Sequence, residues 1–261
     1  MIKILNCKNK NYIKKLIDFL EKRRSRKSIN TKIVSEILKD IKKNKLKAVL
    51  KYEKQFSKNN KIYTTKKEIN DSIKKLDPKI KKAIDFAYSR IFKFHSLQIP
   101  KDIKFTDRYK NKIEYKNIPL ESVGIYVPAN LPSTLLMCAI PAQISKVKKV
   151  IVVNPRMNGK LNPAVMYAAK KCGVSKIITC GGAQAIGNLV YIQKVNKVVG
   201  PGNKYVAEAK RQLSGKILGT ETMYAGASEI CVLADKNSNL SQVATSLVSQ
   251  AEHDPDSQCI L

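Results

Sequence analysis

The 261 residues suffice for one large or two ordinary domains, and 43% hydrophobic residues are enough for a real core. No apolar run approaches the length of a membrane span and no leader with an apolar centre and cleavage site opens the chain, so a cytoplasmic protein is expected. The net charge of +30 rests mostly on lysines spread along every predicted helix, without an arginine-rich arm, aromatic-interleaved patch or zinc-finger spacing. Solvated faces therefore explain it better than a nucleic-acid partner.

The first 120 residues hold 35 Lys and Arg against 12 Asp and Glu, and they read as helical. Residues 11–24 form a short basic helix. Residues 30–57 form one or two more, with Ile33, Ile37, Ile41, Leu46, Val49 and Leu50 as an apolar stripe. The pattern continues over 66–95 and is broken at Asp77-Pro78, where proline starts the second helix. His95 beside Phe94 reads as a packed or surface histidine. A basic, extended link over 101–119 follows, with a strand suggested by alternation in 112–118.

At Glu121 the charge thins, and short β-branched runs begin to alternate with helical patterns. Strands are expected at 123–127, 149–153, 177–180, 197–199 and 229–234, and helices at about 133–145, 162–172, 183–190 and 203–213. Asn162, Pro163 and Gly173 supply a full set of helix start and stop signals. Such repetition predicts an α/β fold: Rossmann-like parallel sheet domains with helices on both faces, after a mainly helical N-terminal region.

Ligands bind beyond the carboxyl ends of such strands. The candidate turns there are Tyr126-Val127-Pro128, Gly181-Gly182-Ala183-Gln184, Gly200-Pro201-Gly202-Asn203 and Ala225-Gly226-Ala227-Ser228-Glu229. No GxGxxG fingerprint with a following acidic residue is present, so the glycines alone allow either tight turns or anion contacts. Of the six cysteines none is in a CxxC pair, and Cys138, Cys180 and Cys231 read as small buried hydrophobes. The last predicted helix carries Leu240, Val243, Ala244, Leu247, Val248 and Ala251 at helical spacing. Gln250 and His253 share a flank at its end. By spacing alone they are a polar edge stopped by Asp254-Pro255 or a pair facing one ligand.

Taken together, GIYVP (124–128), CAIPAQ (138–143), GGAQAIG (181–187), VGPGNKYVAEAKR (199–211), AGASE (225–229) and SQAEHD (249–254) resemble histidinol dehydrogenase, from about residue 20 to the end. The resemblance implies oxidation of L-histidinol to L-histidine through the aldehyde, the last step of histidine biosynthesis, with two NAD molecules and one zinc per site in a homodimer. It implies NAD contacts at Tyr126, Gln184 and Asn203, and substrate contacts at Ser228, Gln250 and His253. Gln250 and His253 would also ligate zinc. The implied domains are 1–123 (helical region and first part of domain one), 124–227 (Rossmann-like second domain) and 228–261 (return to domain one).

Ala129-Asn130 stands where the family usually has Gly-Gly, and Ala227 where it has proline. The family continues well past residue 261, so its Glu-His acid/base pair and remaining zinc ligands are expected outside this chain, which alone is expected to be inactive. An inactive remnant and a basic binding protein are the alternatives; binding neither zinc nor NAD would favour the first, and tight duplex binding at physiological salt, with the salt slope of many phosphate contacts, the second.

Overall fold

The computed structural model describes residues 4–6, 8, 11–24, 31–215, 217–220, 229–252 and 257–261, without the side chains of 21–24. The chain divides into two compact units, Met1–Thr31 and Lys32–Leu261. The first contains α1 (Tyr12–Arg24).

Next in the chain is α2 (Thr31–Ser57), all but its first residue in the second unit and interrupted at Lys45, where φ 49 and ψ −127 leave the helical region. α3 (Lys66–Ile73) starts in a reciprocal cap. The Thr65 hydroxyl accepts from the Glu68 amide, and the Glu68 carboxylate accepts from the Thr65 amide at 2.8 Å. α4 (Pro78–Ser96) is capped by Asp77, as the Asp-Pro signal predicts. A two-stranded antiparallel hairpin follows, β1 (Ile103–Thr106) with β2 (Lys112–Tyr115). The link read as extended thus contains one more strand than expected.

The core sheet is built from β3 (Ser122–Tyr126), β4 (Lys149–Val153), β5 (Lys176–Ile178), β6 (Lys197–Val199) and β7 (Gly219–Thr220). The connecting helices are α5 (Pro132–Ile144), α6 (Pro163–Lys171), α7 (Gly182–Tyr191) and α8 (Lys204–Leu213). All neighbouring strands pair in parallel, in the order β5-β4-β3-β6-β7. Parallel strands require crossover connections, and the helices supply them.

Alternation along the strands divides the core in two. Tyr126, Ile151, Val153, Ile178 and Val198 pack with α2, α7 and α8 on one face. Val123, Ile125, Val127, Val150, Val152 and Ile177 pack with α4, α5 and α6 on the other. The expected fold, a parallel sheet with helices on both faces after a helical N-terminal region, is the observed one. Gly124 allows α7 to close on the sheet, because a Cβ there would lie 2.8 Å from Leu189 Cδ1.

A separate parallel pair, β8 (Glu229–Cys231) with β9 (Gln258–Ile260), encloses α9 (Leu240–Ala251) in sequence. No residue of α9 is fully buried, although its apolar spacing predicted a packed face; a two-stranded sheet offers little to cover it. Cys231, expected inside, is exposed. It shares a face of β8 with Glu229, and among the described residues only β9 pairs with that strand. Cys180 is buried as expected and Cys138 partly so.

Candidate functional site

The chain runs outward from β3 through β4 to β5, then crosses to the other side of β3 for β6 and β7. Strand order therefore reverses between β3 and β6, the place where open α/β sheets bind ligands beyond their carboxyl ends. Tyr126 ends β3, and Gly200-Pro201-Gly202-Asn203 follows β6. The two turns touch. A Cβ on Gly200 would stand 2.2 Å from the Tyr126 carbonyl oxygen, and Gly200 has φ +105, so only glycine closes this contact.

Side chains fix both turns from beneath. Asn154, buried just beyond β4, donates through Nδ2 to the Val127 carbonyl at 3.1 Å and the Pro128 carbonyl at 3.0 Å. Lys210 on α8 is only 1% exposed and donates through Nζ to the Gly200 carbonyl at 2.8 Å. Asn203 caps α8, accepting from Tyr205 and Val206 amides, and remains exposed at the turn.

The Gly181 turn follows β5 and starts α7, a helix without a side-chain cap of its own. Its polar groups are met from other elements. Glu53 on α2, fully buried, accepts at one oxygen from the Gly181 amide (2.9 Å) and from Gln184 Nε2 (2.8 Å). The Tyr126 hydroxyl lies against the same turn, 3.9 Å from where a Cβ on Gly181 would stand. Burial pushes the Glu53 carboxyl up, opposed by the Gly181 and Gln184 donors. Burial also pushes the Tyr126 hydroxyl up to about 12, so it stays protonated near neutrality. The Cys180 thiol, wholly enclosed, is raised well above its ordinary value by burial and by Glu53, and is no nucleophile.

Of the residues expected to contact a dinucleotide, Tyr126 (5% exposed) and Gln184 (3%) are therefore joined through the Gly181-Gly182 turn. Asn203 stands on the neighbouring loop, across the β3–β6 junction. Glu53 belongs to this cluster and was not singled out from the sequence; it sits in a lysine-rich helix, 128 residues before Gly181.

Gln250 lies half-buried in the last turn of α9, which packs on β8 and β9. Ser228 and His253 fall outside the described residues, as does the turn 225–228. Among the described residues no three His, Cys, Asp or Glu side chains cluster closely enough to hold a metal ion. One amide oxygen from Gln250 does not make a zinc site, which takes four ligands.

The family model for histidinol dehydrogenase matches residues 20–261. The chain belongs to the histidinol dehydrogenase family. A histidinol dehydrogenase of Pelagibacter ubique (strain HTCC1062) is 52% identical over 268 residues, covering 100% of this chain and 62% of that protein. One from Idiomarina loihiensis is 44% identical over 239 residues, covering 87% and 54% respectively. The crystal structure of histidinol dehydrogenase from Elizabethkingia anophelis matches the fold with a TM-score of 0.83 at 36% identity, across 90% of this chain and 56% of that one. The chain thus spans between one half and two thirds of the length of these members of the histidinol dehydrogenase family.

Proposed function

We propose that the carboxyl edge of the parallel sheet binds NAD, as part of a zinc-dependent enzyme that oxidises L-histidinol to L-histidine through the aldehyde. The observation that carries this reading is the Tyr126–Gly200 contact at the strand-order reversal, with Asn203 exposed beside it. Bound NAD supplies the hydride acceptor. The chain's own residues shape its seat. Tyr126 offers a neutral hydroxyl against the Gly181-Gly182 turn, Gln184 an amide, and Asn203 a second amide at the start of α8. Asn154 and Lys210 hold the loops that carry them.

Zinc belongs to the same proposal through Gln250 and His253, an amide oxygen and a neutral imidazole that are acceptable donors. Ser228 completes the substrate contacts with them. In this reading 124–227 is the cofactor-binding domain, 228–261 returns to the domain begun by 1–123, and the enzyme works as a cytoplasmic homodimer. No described helix is long and apolar enough to cross a membrane.

No acid/base pair is assigned to any residue of this chain, so the chain alone is expected to bind NAD without oxidising histidinol. Calorimetric titration with NAD, followed by an assay for NADH formation from histidinol with added zinc, tests both parts. Saturable binding without turnover is expected. A folded chain that ignores NAD contradicts the site, and steady NADH production abolished by His253→Ala contradicts the assignment of inactivity.

A further inference from the structure

α7 begins at a Gly-Gly turn, the kind of helix start that elsewhere receives a phosphate. Here the position is taken. Glu53 Oε1 receives the Gly181 amide at 2.9 Å, and the Tyr126 hydroxyl stands over the same turn. The carboxylate comes from α2, which is held against this end of the sheet by the segment that follows it. Asn59 Nδ2 donates to the Thr179 carbonyl, and the Thr179 amide donates to the Ile62 carbonyl.

The same carboxylate oxygen decides how Gln184 is turned. A carboxylate only accepts, so the amide must present Nε2 to Glu53, as it does at 2.8 Å. The amide oxygen then falls on the opposite side, folded back over Gly182, where a Cβ would meet it at 2.7 Å. Glycine at 182, with φ +58, leaves that oxygen room. Both close hydrogen bonds of the Glu53 carboxylate fall on Oε1 and come from this turn, while the Asn59 and Ser57 side chains act on it more weakly.

We propose that Glu53 is a positioning residue of the dinucleotide site: it fills the anion position at α7 and fixes Gln184 as a hydrogen-bond acceptor, so this turn takes a hydroxyl or amide N–H of the cofactor rather than a phosphate. The proposal rests on the NAD reading above. It sets the polarity of one contact, which the identity of Gln184 alone leaves open because an amide can face either way.

The test is NAD affinity by titration calorimetry for the chain as it stands and for Glu53→Ala, Glu53→Gln, Gln184→Ala and the double variant Glu53→Ala/Gln184→Ala, each checked by thermal melting. Glu53→Ala is expected to weaken binding about tenfold. Glu53→Gln, whose carbonyl still accepts from Gln184, should stay within about threefold of the parent. In the Gln184→Ala background, removing Glu53 should cause no further loss, because its effect passes through that amide. Undiminished binding by folded Glu53→Ala, or fully additive losses in the double variant, overturns the proposal. Should Glu53→Ala not fold, Glu53→Asp, which keeps the charge but withdraws it by one methylene, replaces it in the same comparisons. If the parent chain itself ignores NAD, the dinucleotide reading is what fails, and the positioning role falls with it.

Discussion

Lys210 Nζ donates to the Gly200 carbonyl oxygen at 2.8 Å from a side chain that is almost wholly buried. An ammonium group enclosed in this way is tolerated only where acceptors meet it. It anchors the loop after β6 directly beneath the strand-order reversal. Lys210→Met keeps the apolar stem and removes the donor. A loss of about 1–3 kcal/mol in urea unfolding is expected, with NAD affinity falling as the loop loosens. Unchanged stability would show that the Gly200 carbonyl finds another donor.

Gly200→Ala should be worse. The added Cβ would meet the Tyr126 carbonyl at 2.2 Å, and alanine does not readily adopt φ +105. Backbone strain alone is about 1–3 kcal/mol, and the steric conflict adds to it. Urea unfolding should show a marked drop, whereas alanine at Gly215, which has nothing within 4 Å, meets only the strain of its φ +72.

Asn154 holds the other side of the junction by donating to two carbonyl oxygens. Asn154→Asp replaces that donor with a carboxylate facing the same two oxygens. It should destabilise the chain by about 1–3 kcal/mol or more, and more near neutrality than in acid, where a protonated carboxyl can still donate once. Denaturant curves at the two conditions measure the difference.

Two glutamates give pH effects of opposite sign. Glu68 is held down to about 2 by the Thr65 amide and by Lys61, against an ordinary value of 4.5. Its contribution is present above that ordinary value and is lost as pH falls towards about 2. Glu53 is raised by burial, so between 4.5 and its folded value the unfolded chain releases a proton that the folded chain keeps. Stability attributable to Glu53 therefore declines as pH rises through that window. Relative to the parent, Glu53→Gln should gain stability on going from acid to neutral pH, and Glu68→Gln should lose it. Parallel unfolding curves for parent and Glu53→Gln across the range would refute the first.

The β-branched runs, the capped helices and the three glycine or proline turns on the parallel sheet were legible because each is written in neighbouring residues. Short β-branched runs gave β3 and β4, which are buried on both faces, and Asn162-Pro163 and Asp77-Pro78 gave helix starts. What local pattern does not carry was missed. β7 is two residues long and exists only by pairing with β6. β1 was folded into a link, although Ile103 and Phe105 register against Tyr115 and Ile113. Exposed Cys231 and the unburied α9 show that apolar spacing reports the capacity for burial, while the partner decides whether burial occurs. Glu53 illustrates the same limit at the site, since one of three carboxylates in a basic helix gains meaning only from a turn 128 residues later.

Titration of the folded chain with NAD is the most direct measurement of all. One saturable site is expected, weakened about tenfold by Asn203→Ala and more by Gly200→Ala, because both change the loop that faces Tyr126. A folded chain that takes up no NAD, or binds it equally well in both variants, would contradict the assignment of the β3–β6 junction as the cofactor seat.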